Sequence, residues 1–186
     1  MPRRIVALVF VLALAVGAAG CGKDEDPAQA WANGFCSSLT TWSESVKSSI
    51  DPITAGNLSS DAVNGAVDDV KSATDKLTSD LKALGAPDTD SGEKAQQQVT
   101  DLADELTTAE DTLSKAFEGA NGTGGMLAAA GVALSTLGTA VTQMKTTLDD
   151  LEQSTTDSSD ELRKAFATSD ECKPVRDQLD KLPGAN

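Results

Sequence analysis

In four long segments of this chain, apolar or small residues return every three or four positions without a break. Trp31 or Ala32, Phe35, Leu39, Trp42, Val46 and Ser49 do so first. Val63, Val67, Val70, Thr74, Leu77, Leu81 and Leu84 follow, then Ala95, Val99, Leu102, Leu106, Ala109, Leu113 and Ala116. The fourth set is Leu127, Ala130, Leu134, Leu137, Val141, Met144, Leu148 and Leu151. This spacing lays one stripe along a helix, whereas a strand repeats every second residue. No stretch of strand length alternates with period two, so the chain is predicted to be all-α.

Punctuation between the stripes is short and sharp. Asp51-Pro52 and Gly56-Asn57 end the first, and Gly85 followed by Pro87 ends the second. Gly119 and Asn121-Gly122-Thr123-Gly124-Gly125 end the third. The predicted helices span 27–50, 59 or 60 to 84, 93–118 and 126–153. Long helices joined by short turns fold back on one another, which predicts an antiparallel four-helix bundle rather than an extended coiled coil. After a polar linker at 154–159, Ser158 and Glu161 form a capping box. Two short C-terminal helices are predicted, one through Phe166 and one over 170–182. The first half of the fourth helix, MLAAAGVALSTLGTAV, is apolar nearly all round. A helix of that kind is expected to be the most buried one, with Leu134 deep in the core. Gly131 and Gly138 in it offer a neighbour close approach.

The N-terminus is organised differently. Met1-Pro2-Arg3-Arg4 is basic, Ile5 to Val16 is uninterruptedly apolar, and Gly17-Ala18-Ala19-Gly20 is small. That order is the signature of a secretory signal peptide, and the apolar run is shorter than the roughly 20 residues of a membrane-spanning helix. The small residues lead directly into Cys21. This resembles the lipobox of bacterial lipoproteins, in which the cysteine thiol receives diacylglycerol and becomes the first residue of the mature chain. The resemblance implies removal of residues 1–20 and lipidation, with palmitate-type acyl chains, at Cys21. It implies a tether over 21–27, a helical bundle over 28–182 and a tail over 183–186. The expected location is the outer face of the cell membrane, since two acyl chains anchor stably where one does not. An exported, alanine-rich, acidic lipoprotein with few aromatics is similar in style to those of high-GC Gram-positive bacteria. The bundle itself resembles no characterised family.

With Cys21 taken by lipid, Cys36 and Cys172 remain as an even pair in an oxidising compartment. A Cys36–Cys172 disulfide is expected to staple the C-terminal segment to the first helix, with two buried thiols as the alternative. Without Arg3 and Arg4 the 15 basic residues become 13, against 29 acidic ones, a net charge of −16. Such a surface is a poor partner for nucleic acid, whose binding is dominated by positive charge on the protein.

The chain contains no His, the residue most often recruited for acid–base chemistry. Asp68-Asp69, Asp104-Glu105 and Asp149-Asp150 read as solvated helix faces, so no catalytic residue is assigned and the chain is not read as an enzyme. Two cysteines without His do not make the usual zinc set. The loop Asp88 to Glu93 has Gly at its fifth position and lacks the EF-hand spacing. The glycines at 122–125 lack the Lys-Ser/Thr of a phosphate loop. Neither metal nor cofactor is expected. Two function classes remain: an interaction module facing an envelope protein or wall polymer, and a carrier of a small apolar ligand within the bundle. A structural spacer is the plainest third option. A cavity of several hundred Å3 inside the bundle favours the carrier, and a solid core favours the module.

Overall fold

The computed structural model describes residues 26–56, 59–118, 120, 122–153 and 160–182. Six helices follow in order: α1 (Pro27–Thr54), α2 (Ser60–Leu84), α3 (Gly92–Glu118), α4 (Gly122–Gln153), α5 (Asp160–Thr168) and α6 (Val175–Leu179). Among the described residues there is no strand. The chain is an all-α bundle of four long helices with two short C-terminal ones. The signal-peptide residues, Cys21, the linker with Ser158 and the tail lie outside the described residues.

Local signals account for most helix ends. Asp26 caps α1 by accepting from the Ala28 N–H at 2.9 Å, and Pro27 follows at the first helical position. Ser59 Oγ accepts from the Ala62 N–H at 3.3 Å. Gly85 stops α2 with φ 63°, a conformation that costs glycine little.

Three boundaries differ from the sequence expectation. α1 runs through Pro52 to Thr54 instead of stopping at Ile50. A proline in the last turn forfeits a single helical hydrogen bond, and the Ala55 N–H still reaches Asp51 O at 2.9 Å. α4 begins at Gly122, absorbing glycines expected to form a loop. The second C-terminal helix covers only Val175–Leu179, because turns occupy 170–174 up to Pro174.

Adjacent long helices pack in sequence order: α1 on α2, α2 on α3, and α3 on α4. One close approach was not foreseen. A Cβ on Gly34 of α1 would lie 2.8 Å from Leu84 Cδ2 of α2, so the leucine side chain sits in the space that glycine leaves and would have to shift for a larger residue. By contrast, nothing lies within 4 Å of a Cβ on Gly131, so close helix approach does not occur there.

The fourth side of the bundle is closed by the C-terminal segment, since α5 and α6 each pack against both α1 and α4. Cys36 of α1 and Cys172 are joined by a disulfide with Cα atoms 4.9 Å apart. Trp31 stacks on Phe35, and both meet the Phe166 ring edge-on at centroid distances of 6.0 and 5.9 Å. Leu162, Val175, Leu179 and Leu182 are buried beside them. Polar clamps hold the outside: Gln29 Nε2 donates to Ala165 O at 3.2 Å, and Arg176 Nη2 pairs with Asp149 at 2.5 Å and Glu152 at 2.8 Å. Lys145 pairs with Asp180 at 2.5 Å. Arg176 is held above its ordinary pKa: burial works against its charge, but the hydrogen bonds to Glu152 and Asp149 outweigh it.

The expectation that the first half of α4 is the most buried helix is overturned. Val141, Met144, Leu148 and Leu151 are fully buried, yet Leu134 is 51% and Leu127 74% exposed. α5 and α6 fill the space between α1 and α4 only around positions 29–43 of α1 and 145–152 of α4. Beyond them, Ala130 and Ala133 of α4 line the gap and lack the volume to close it.

Candidate functional site

At the pole away from the disulfide, the four long helices line an apolar cavity of about 320 Å3. That volume falls within the range of sites that hold a small molecule, about 300–1,000 Å3. From α1 it is lined by Trp42, Ile50, Ile53 and Thr54. α2 contributes Val63, Ala66, Val67, Val70, Lys71 and Thr74, and α3 contributes Leu106, Ala109, Glu110, Leu113 and Phe117. α4 supplies Met126, Leu127, Ala130, Ala133, Leu134, Thr136, Leu137 and Ala140. The exposed Leu127 and Leu134 mark the open side, along the N-terminal half of α4.

The cavity follows from chain direction. The C-terminal halves of α1 and α3 meet the N-terminal halves of α2 and α4 there. The large aromatics Trp31, Phe35 and Phe166 all sit at the other pole, where they fill the core. Alanines take their place here, and alanines on facing helices leave a void where leucines would interdigitate.

Several polar groups in the wall have partners within the bundle. Trp42 Nε1 donates to Thr74 Oγ1 at 3.1 Å, and Thr74 Oγ1 in turn donates to Val70 O at 2.9 Å. Thr54 Oγ1 donates to Asp51 O at 2.9 Å. Lys71 Nζ stands 3.9 Å from Glu110 Oε1, in a pair whose Glu110 side chain is only 18% exposed. Burial pushes the Glu110 carboxyl above its ordinary value, and the charge and hydrogen bond of neighbouring Asp75 push it the same way. Lys71 opposes the shift and Asp111 adds to it. The buried polar side-chain atoms without a partner among the described residues are on Thr40, Thr89, Ser91 and Gln98, none of which lines the cavity.

The remaining residues singled out from sequence fall elsewhere. Cys36 and Cys172 lie together at the opposite pole, and Cys21 is outside the described residues. Asp68, Asp69, Asp104, Glu105 and Asp150 are exposed, Asp104 lying 3.6 Å from Lys82, while half-buried Asp149 is engaged by Arg176. Among the described residues no three His, Cys, Asp or Glu side chains gather as a metal-binding group. By length and composition alone Gly124–Gln153 is apolar enough to cross a membrane. Its second half is core: Val141, Met144, Leu148 and Leu151 are wholly enclosed by the bundle.

About half of the cavity residues, Val67, Leu106 and Leu134 among them, belong to the stripes that periodicity assigns to the core. The signal that separates cavity from core is the distribution of bulk: the Trp31, Phe35 and Phe166 cluster fills one pole, and alanines of α2, α3 and α4 stand beside Trp42 and Phe117 at the other. Compared with protein-family models, curated proteins and solved structures, the chain matches none.

Proposed function

We propose that the protein is a lipid-anchored envelope protein that carries a small apolar ligand between its helices. The observation that carries this reading is the cavity, which is apolar, of ligand size and open along α4. A void of this kind is a cost to stability unless something fills it, because its lining loses packing partners. An apolar ligand restores those contacts. The anchor rests on the order of basic, apolar and small residues before Cys21. With lipid at Cys21 and the cavity at the far pole of α1, the bundle holds its ligand away from its own attachment point. The exposed Leu127, Val132 and Leu134 support a second reading, an interaction module that presents this face to an envelope protein or wall polymer.

A neutral fluorescent probe, N-phenylnaphthylamine, tests the carrier. The mature chain carrying Cys21→Ser is expected to bind it, and Ala130→Trp, which fills the cavity, is expected to abolish binding. Equal binding by both proteins places the probe elsewhere and removes the reading. Cys21→Ala in cells tests the anchor: the protein should leave the membrane fraction and lose labelled lipid. Membrane retention of that variant would refute lipid attachment at this residue.

A further inference from the structure

The cavity's charges and hydrogen bonds restrict what it can hold. Its lining runs roughly 16 Å along α2, from Val63 to Thr74, and roughly 21 Å along α4, from Met126 to Ala140. A lining of that length accommodates an extended chain. Head-group recognition requires free hydrogen-bonding groups, and here three of the wall's polar side chains are already engaged. Trp42 is committed to Thr74, Thr74 to Val70 and Thr54 to Asp51. Lys71 is the single cation in the lining, and it faces Glu110. Asp75, one turn beyond Lys71 on α2, and Asp111, next to Glu110 on α3, both raise the Glu110 carboxyl through their negative charge, so carboxylates outnumber the one ammonium. An anionic head group would have to displace Glu110 from Lys71 while remaining beside these acids. It would also approach a chain that is net acidic overall.

From the span of the apolar lining and the carboxylates that surround its one cation, we infer that the ligand is a linear long-chain lipid with an uncharged head, and that fatty-acid anions are excluded. This rests on the carrier reading and specifies its substrate class. The shared hydrocarbon supplies affinity through burial of apolar surface. The carboxylates around Lys71 supply discrimination, by making the wrong head group unfavourable.

Displacement of N-phenylnaphthylamine by 1-dodecanol and by dodecanoate at pH 8 separates the possibilities, using the mature chain with Cys21→Ser. Dodecanol should compete at least about tenfold better than dodecanoate. In a Glu110→Gln, Asp75→Asn double variant that ratio should move towards dodecanoate. If dodecanoate competes as well as dodecanol in the wild type, the inference is overturned while the carrier reading stands. A ratio that does not move in the double variant overturns the role given to the acids. If the probe does not bind and the chain sediments as a dimer, a second copy covers the groove, and the inference and the carrier reading fall together.

Discussion

Leu134 and Leu148 occupy the same stripe of α4, two heptads apart, and truncating each to alanine should have very different costs. Leu148 is fully buried. Leu148→Ala removes its transfer energy and leaves a cavity that rigid neighbours do not close, a loss of about 3 kcal/mol. Leu134 is 51% exposed. Full burial of a leucine is worth about 1.5–3 kcal/mol, so a half-buried one contributes about 1 kcal/mol. Leu134 already borders empty space, so no new enclosed void is created. For a domain of this size each kcal/mol moves the melting temperature by about 2–4 °C. Leu148→Ala should therefore melt about 6–12 °C below the wild type, and Leu134→Ala about 2–4 °C below. Far-ultraviolet circular dichroism in thermal and urea unfolding reads both values, and the urea m-value checks that the transition is unchanged. A Leu134→Ala penalty equal to that of Leu148→Ala would show that α4 is packed along its whole length. The cavity would then be closed in solution.

The disulfide bridges a sequence separation of 136 residues, for which the chain-entropy account gives about 5 kcal/mol as an upper expectation. Reduction should lower the melting temperature and speed hydrogen exchange in α5 and α6 more than in α2 and α3; uniform acceleration would contradict a local staple. Glu110 supplies a pH signature. Its folded-state pKa is raised, so the folded chain holds that proton more tightly than the unfolded chain. Its stabilising contribution is present at low pH and is lost as pH rises from the ordinary carboxylate value through the raised one. Glu110→Gln should therefore gain stability relative to the wild type between pH 4 and pH 7, measured by urea unfolding. A gap that narrows or reverses as pH rises would contradict the shift. Arg176→Ala leaves Asp149 and Glu152 facing each other without their cation. Because all three side chains are partly exposed, the cost should be about 1 kcal/mol in urea unfolding, and a loss of several kcal/mol would mean that the clamp is buried.

Periodicity told which residues share a helix face, and the helices form where it places them. It could not tell whether a neighbour covers that face. Leu148 and Leu134 carry the same pattern, but the C-terminal segment packs against α4 only beside the first of them. That segment contributes little periodic signal of its own, because α6 is only five residues long and Pro174 interrupts the approach to it. Gly34 was equally silent. A single glycine within an amphipathic helix does not announce the leucine that presses against it. The Cys36–Cys172 bond was legible because parity leaves a single pair once Cys21 is read as a lipid site. The cavity was not, since a void is defined by volume summed over four helices, and alanine reads as an ordinary core residue in each stripe taken alone. The wall's charge arrangement depends on the registration of α2 against α3, which brings Lys71 and Asp75 to Glu110.

The bond between Cys36 and Cys172 also determines how the molecule bears tension. A pull between the two ends of the folded chain follows the shortest covalent path, from Pro27 along α1 to Cys36, across the sulfurs, and out from Cys172 to Leu182. Residues 37–171 hang from that path as an unloaded loop. All of the cavity lies on this loop. Tension applied between Pro27 and Leu182 would pass through one pole and leave the geometry of the other undisturbed.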